Sequence, residues 1–136
     1  MEPNPEQVAA DWIAYARYDP NEAPEEVFAR GWVINDLTYD NPALAWEAIK
    51  LVVGSFPEEE LFSESDTEAN DIVGNTAAGP LEDLLAVHGP QFIDAIESAA
   101  RSDRRMMWTL GGVWQNSMTD EIWTRVQFAA GEFRGR

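Results

Sequence analysis

Apolar residues recur along the chain at three- and four-residue intervals, the spacing of helices with one buried face. In residues 5–18 that face is Val8, Trp12 and Tyr15. Asn4 is placed to cap this helix and Pro5 to open it, since a first-turn proline has no N–H bond to lose. Asp19-Pro20-Asn21 is the turn that ends it. Residues 23–37 repeat the pattern through Val27, Phe28, Gly31, Trp32 and Ile34, with Glu25 and Glu26 at the positive end of the helix dipole. Gly31 costs about 1 kcal/mol against alanine in a helix. Its expected use is close packing beneath Trp32, with ligand contact as the alternative. Asn41-Pro42 opens a third helix, which carries Leu44, Ala48, Ile49, Val52 and Val53 inward and ends at Gly54.

Residues 55–66 break the pattern with a polar run, from which Leu61 and Phe62 are expected to tuck onto the body. Ser65 with Glu68 fits the S-x-x-E capping box of a helix over about 66–77, with Ala69, Ile72 and Val73 on its inner face. Gly79 to Asp103 then reads as two short helices back to back, each opened by a Gly-Pro pair, with Gly89 closing the first. Asp103 caps a helix over 104–114, whose stripe is Met106, Leu110, Val113 and Trp114 and which Gly111-Gly112 interrupts or ends early. Thr119 caps the last helix, with Ile122, Trp123, Val126 and Ala130 inward. The tail from Gly131 to Arg136 is expected to fray.

No segment alternates as a strand does. The expected fold is all-α: a single domain of about eight short helices in an irregular helical-hairpin stack. Asn41-Pro42 and Gly79-Pro80 lie 38 residues apart, within the range of HEAT-like helical pairs, which is the more regular alternative.

Charge changes this picture more than composition does. The 136 residues carry a formal net charge of −16, and the imbalance is local. Residues 1–97 hold 21 acidic and 3 basic side chains, and residues 98–136 hold 4 and 6. Such a chain is repelled by nucleic acid and by anionic lipid. Glu58, Glu59, Glu60, Glu64, Asp66, Glu68 and Asp71 make the densest acidic run, with no Lys or Arg inside it. One reading is a solvated face. The other is a surface that meets a basic protein partner, in its specific form one whose groove normally holds nucleic acid. The absence of cysteine excludes disulfides, Cys-ligated zinc and a thiol nucleophile. The opening Met1-Glu2-Pro3-Asn4 does not read as a signal peptide, and no stretch approaches the ~20 apolar residues of a membrane span. A cytoplasmic location is expected.

Catalytic equipment is sparse. His88 is the one histidine, and it falls where it would cap the end of a helix. Alone, it is poor metal equipment. A small hydrolase or ligand binder would need His88 beside Glu82 or Asp83. Those two carboxylates read otherwise as dipole partners of a helix start. No phosphate loop, dinucleotide fingerprint, nucleophile elbow or calcium loop is present, and no cofactor is expected. Arg101, Arg104 and Arg105 form the one basic cluster, expected to pair with the acidic body. The six Trp are expected to lie mostly in the core, and an exposed one would mark an interface. A dimer through a Trp-rich helix face is a further alternative. The expectation for function is a non-enzymatic acidic binding module. Small acidic helical inhibitors, of the immunity or anti-defence kind, offer an analogy of class.

The segment Gly79–Trp123 resembles a family of small bacterial helical proteins classed as a domain of unknown function. The resemblance rests on Gly79-Pro80-Leu81-Glu82, Leu84-Leu85, His88-Gly89, Phe92-Ile93, Gly111-Gly112-Val113-Trp114 and Trp123. It implies a helical fold and carries no activity.

Overall fold

A computed structural model describes residues 3–19 and 21–135. The readings that rest on Met1, Glu2, Pro20 and Arg136 lie outside the described residues. Helices α1 (Pro5–Ala16), α2 (Glu25–Gly31), α3 (Val33–Asp40) and α4 (Pro42–Gly54) are followed by the single turn α5 (Glu58–Leu61). Next come α6 (Glu68–Thr76), a π-helical turn (Ala77–Leu81), α7 (Glu82–Ser102), α8 (Arg104–Leu110), α9 (Asp120–Ala130) and a 3-10 turn (Gly131–Phe133). No strand occurs among the described residues. Helices α2 and α3 are one bent body hinged at Trp32, and α6, the π turn and α7 are another. The described chain therefore makes seven helical bodies rather than about eight.

The caps explain where most helices begin. Asn4 Oδ1 accepts the Gln7 N–H at 2.7 Å, and Asn41 Oδ1 accepts that of Leu44 at 3.3 Å. Asp103 accepts the Arg105 N–H and Thr119 that of Ile122. One cap differs from expectation. The capping box of α6 is Thr67 with Asn70, not Ser65 with Glu68. Thr67 Oγ1 also donates to the Glu60 carbonyl, and the Asn70 amide to that of Leu61. Those two extra bonds tie the start of α6 to α5, and Ser65-Glu68 makes no such tie.

Gly79-Pro80 is not a helix start: α6 runs through it into α7 as one bent rod. Pro80 lacks the N–H that would close an ordinary turn. The helix widens around it by one residue, and the Glu82 N–H donates to the Ala77 carbonyl five residues back. Nothing before Gly79 breaks the helix, so α6 runs through the π turn into α7. At Gly89-Pro90 the reading of two helices fits better: the backbone leaves helical geometry at His88 (φ −127°, ψ 27°), and α7 is two helical segments joined across that kink.

The core is one apolar cluster. Ile34, Ile49, Leu61, Ile72, Leu81, Leu84, Ile93 and Leu110 are all fully buried within it. Helix α1 packs on α2 and α4, α3 on α4, and α7 on α8 and α9. Gly31 permits the closest of these approaches. A Cβ there would lie 2.3 Å from Tyr15 Cβ, so α2 rests directly on α1. The tail is not frayed through Phe133, whose ring stacks on Phe62 at 5.3 Å while the Arg104 guanidinium lies over both rings. No helix among the described residues is long and apolar enough to cross a membrane.

Candidate functional site

The seven carboxylates of the acidic run lie on α5, on the loop after it and on the first turn of α6, and all seven residues are exposed. The Thr67 and Asn70 hydrogen bonds hold these pieces together as a ridge. One member has a cation of its own: Arg17 Nε meets Glu68 Oε1 at 2.7 Å. The basic cluster does not neutralise the ridge as expected. Arg104 pairs with Glu132 at 2.7 Å and Arg105 with Asp103 at 2.9 Å. Arg105 also donates to the Gly54 and Phe56 carbonyls, which anchors the end of α4 to α8. Arg104 and Arg105 each find an acid close to their own helix, and among the described residues most of the ridge forms no salt bridge. Burial pushes the Asp103 carboxyl up, but hydrogen bonds from the Arg105 side chain and backbone outweigh it and the net direction is down.

His88 meets neither acid proposed for it. Its Nε2 is buried without a hydrogen-bond partner, and its ring sits edge-on to Phe92 at 6.5 Å. It lies at the α7 kink, where the first helical segment of α7 ends, as the sequence placed it. Glu82 is engaged elsewhere. It accepts the Trp114 backbone N–H at 2.9 Å and the Asn116 side-chain amide at 3.2 Å. Glu82 thus clasps the turn that follows α8. Burial, and then the charge of Glu82, raise the pKa of Asp83. Among the described residues no group of three acids or histidines could hold a metal ion.

A second feature had no forecast in the sequence. Between α1, the α2–α3 bend and the end of α6 lies an open cleft of about 350 Å³. Its walls are Trp12, Tyr15, Tyr18 and Trp32, and its floor includes Asn35, Asn75 and Gly79. The walls are held in place by their neighbours. Trp12 Nε1 donates to Thr76 Oγ1 at 2.9 Å. Tyr15 packs edge-on to Trp32 and Phe28, and Phe28 stacks on Trp32 at 5.3 Å. Asn35 is only 7% exposed, yet its Nδ2 has no acceptor. Leaving a buried donor unmade costs about 1–3 kcal/mol.

Trp32 and Trp114 correct the expectation for the helix faces that carry them. They are 41% and 75% exposed, whereas Trp12, Trp46 and Trp108 are buried. Trp32 lies at the α2–α3 hinge, where the bend turns it outward. Trp114 falls beyond the Gly111 stop, so the helical stripe that predicted its burial does not reach it. A smaller hollow of about 200 Å³ lies beside Trp114, lined by Val113, Trp123 and Val126.

No curated protein and no solved structure matches the chain. One family does match, over residues 16–132, well beyond the Gly79–Trp123 segment. It takes in the ridge, the bent rod and the Glu82 clasp alike. The chain belongs to that family, a family of unknown function (DUF6869).

Proposed function

We propose that this chain is a non-enzymatic, acidic protein-binding module that docks on a basic surface of a partner protein. An inhibitor of a nucleic-acid-binding protein, of the immunity or anti-defence kind, is the specific form we favour. The observation that carries the reading is the ridge: seven exposed carboxylates on α5, the loop after it and the start of α6, of which, among the described residues, Glu68 alone forms a salt bridge. Exposed surfaces of one sign raise association rates and select partners of the other sign. The ridge is also fixed in shape, because Thr67 and Asn70 bond the start of α6 to α5. Lone His88, with no carboxylate hydrogen-bonded to it, supports the hydrolase alternative less well.

The test is affinity capture from the native host at low and high salt, using the wild-type chain and the charge-reversed E58K/E59K/E60K variant. A basic partner should elute with salt and be lost with the variant. Recovery of acidic partners only, insensitive to salt, would sink the reading. A second reading, self-association, draws on Trp114 and Phe128, which are 75% and 84% exposed. Light scattering at high concentration decides it, and a monomer removes it.

A further inference from the structure

The cleft between α1, the α2–α3 bend and the end of α6 combines three properties seldom found together by accident of packing. Its walls are aromatic and oriented by their neighbours, with Trp32 and Tyr18 open to solvent. Its floor carries Asn35, a nine-tenths-buried amide with an unused donor. Among the described residues no lysine or arginine lines it, and in residues 1–97 acids outnumber bases 21 to 3. We infer that this cleft is a docking groove for a proline-rich segment in the polyproline II conformation, with a basic residue flanking the prolines.

Each property selects against other occupants. Phosphate-bearing ligands meet a negative field and no cation. A β-strand brings a row of N–H groups, which need a sheet edge that this helical protein lacks among its described residues. A polyproline II segment brings carbonyls and few N–H groups, and little ordering cost on binding. Proline rings pack on the faces of Trp and Tyr, and a proline carbonyl supplies the acceptor that Asn35 lacks. The carboxamide reaches it by turning about its last torsion, which is broad for asparagine.

The flanking base follows from how α1 and α6 lie. They run side by side in opposite directions, with Trp12 bonded to Thr76 and Arg17 to Glu68. The cleft is at the end of α6, and the acidic ridge reaches its start. The nine residues of α6 span about 13 Å at ~1.5 Å each. A polyproline II chain covers that distance in about four residues. A basic residue within about four positions of the prolines therefore reaches the exposed Asp71, beside the Arg17–Glu68 pair. This flank rests on the reading of the ridge as a docking surface; the proline core does not.

The experiment uses the full chain and three synthetic peptides, with binding read by calorimetry and by the tryptophan fluorescence of the protein. The first peptide has a proline core with arginine four positions away. The second replaces the arginine by glutamine, and the third replaces the prolines by alanine. The first should bind. The second should bind more weakly and without salt dependence, and the third should lose at least about tenfold in affinity. Equal binding of the first and third overturns the groove while leaving the ridge intact. No binding of either proline peptide overturns it as well. Trp32→Ala and Asn35→Leu should each weaken the first peptide by at least about tenfold. Asn35→Leu replaces an unmade donor by an apolar side chain, so its melting temperature should hold or rise. Lost affinity in a variant that stable is not loss of fold, and retained affinity in both variants overturns the proposal.

Discussion

Glu82 and Trp114 are 32 residues apart, and the carboxylate of the first accepts the backbone N–H of the second at 2.9 Å. The other carboxylate oxygen takes the Asn116 amide. The bond joins the segments Gly79-Pro80-Leu81-Glu82 and Gly111-Gly112-Val113-Trp114 in space. One segment presents the acceptor, and the other is the turn it closes. Gly111 fits the same junction, since a Cβ there would lie 2.1 Å from the Phe133 carbonyl oxygen. Glu82→Gln should destabilise the fold by about 1 kcal/mol and Glu82→Ala by somewhat more. Urea denaturation checks this, and equal midpoints for wild type and alanine variant would show the clasp to be dispensable.

The contact of Gly31 with Tyr15 gives a sharper contrast. Gly31→Ala must push α2 off α1 and should cost about 1–3 kcal/mol, as overpacked sites do. Gly74, on α6, has open space where a Cβ would go. Gly74→Ala should stabilise by about 0.5–1 kcal/mol through helix propensity. The two melting temperatures should move in opposite directions.

Acid sensitivity follows from Asp103 and Asp83. Arg105 holds the Asp103 pKa below its usual value despite partial burial. A depressed folded pKa gives stability that is complete above the unfolded value and is lost as pH falls through the folded one. Asp103→Asn should therefore flatten the loss of stability below about pH 4. Asp83 has the opposite sign. Burial and Glu82 raise its pKa, so its contribution declines as pH rises from the unfolded value through the raised one. Asp83→Asn should raise stability at neutral pH and leave it unchanged in strong acid. Denaturation midpoints measured across pH test both.

The Phe62–Phe133 stack, with Arg104 above it, ties the last described turn to the loop beside the ridge. Phe133→Ala should cost about 1–2 kcal/mol from the lost aromatic pair and cation–π contact. It should also increase hydrogen exchange at Leu61 and Phe62 before it does so in α7. Uniform exchange across the chain would argue that the tail holds nothing.

Sequence reading reached the features whose causes are local. Asn4, Asn41, Asp103 and Thr119 cap the helices they were expected to cap, because a cap is decided within three residues. The all-helical class was legible for the same reason. Pro80 was misread because a proline can open a helix or sit inside a widened turn, and distant packing decides between the two. The burial of Trp114 was misread because Gly111 stops α8 before the stripe arrives. Of the ridge, the run of acids was plain in the sequence, while its attachment by Thr67 and Asn70 was not. The cleft was invisible, since Trp12 and Gly79 come from helices distant in sequence from the α2–α3 body that carries Trp32 and Asn35.

The π turn at Ala77–Leu81 has one more consequence. An inserted residue in a regular helix would swing everything after it by about 100°. The widened turn takes up that extra residue, so that Ile72 before it and Leu84 after it still point into the same core. Chain length at this place is thus buffered. Deleting one residue between 77 and 81 would return the turn to ordinary helix and leave Glu82 facing Trp114 and Leu84 facing the core.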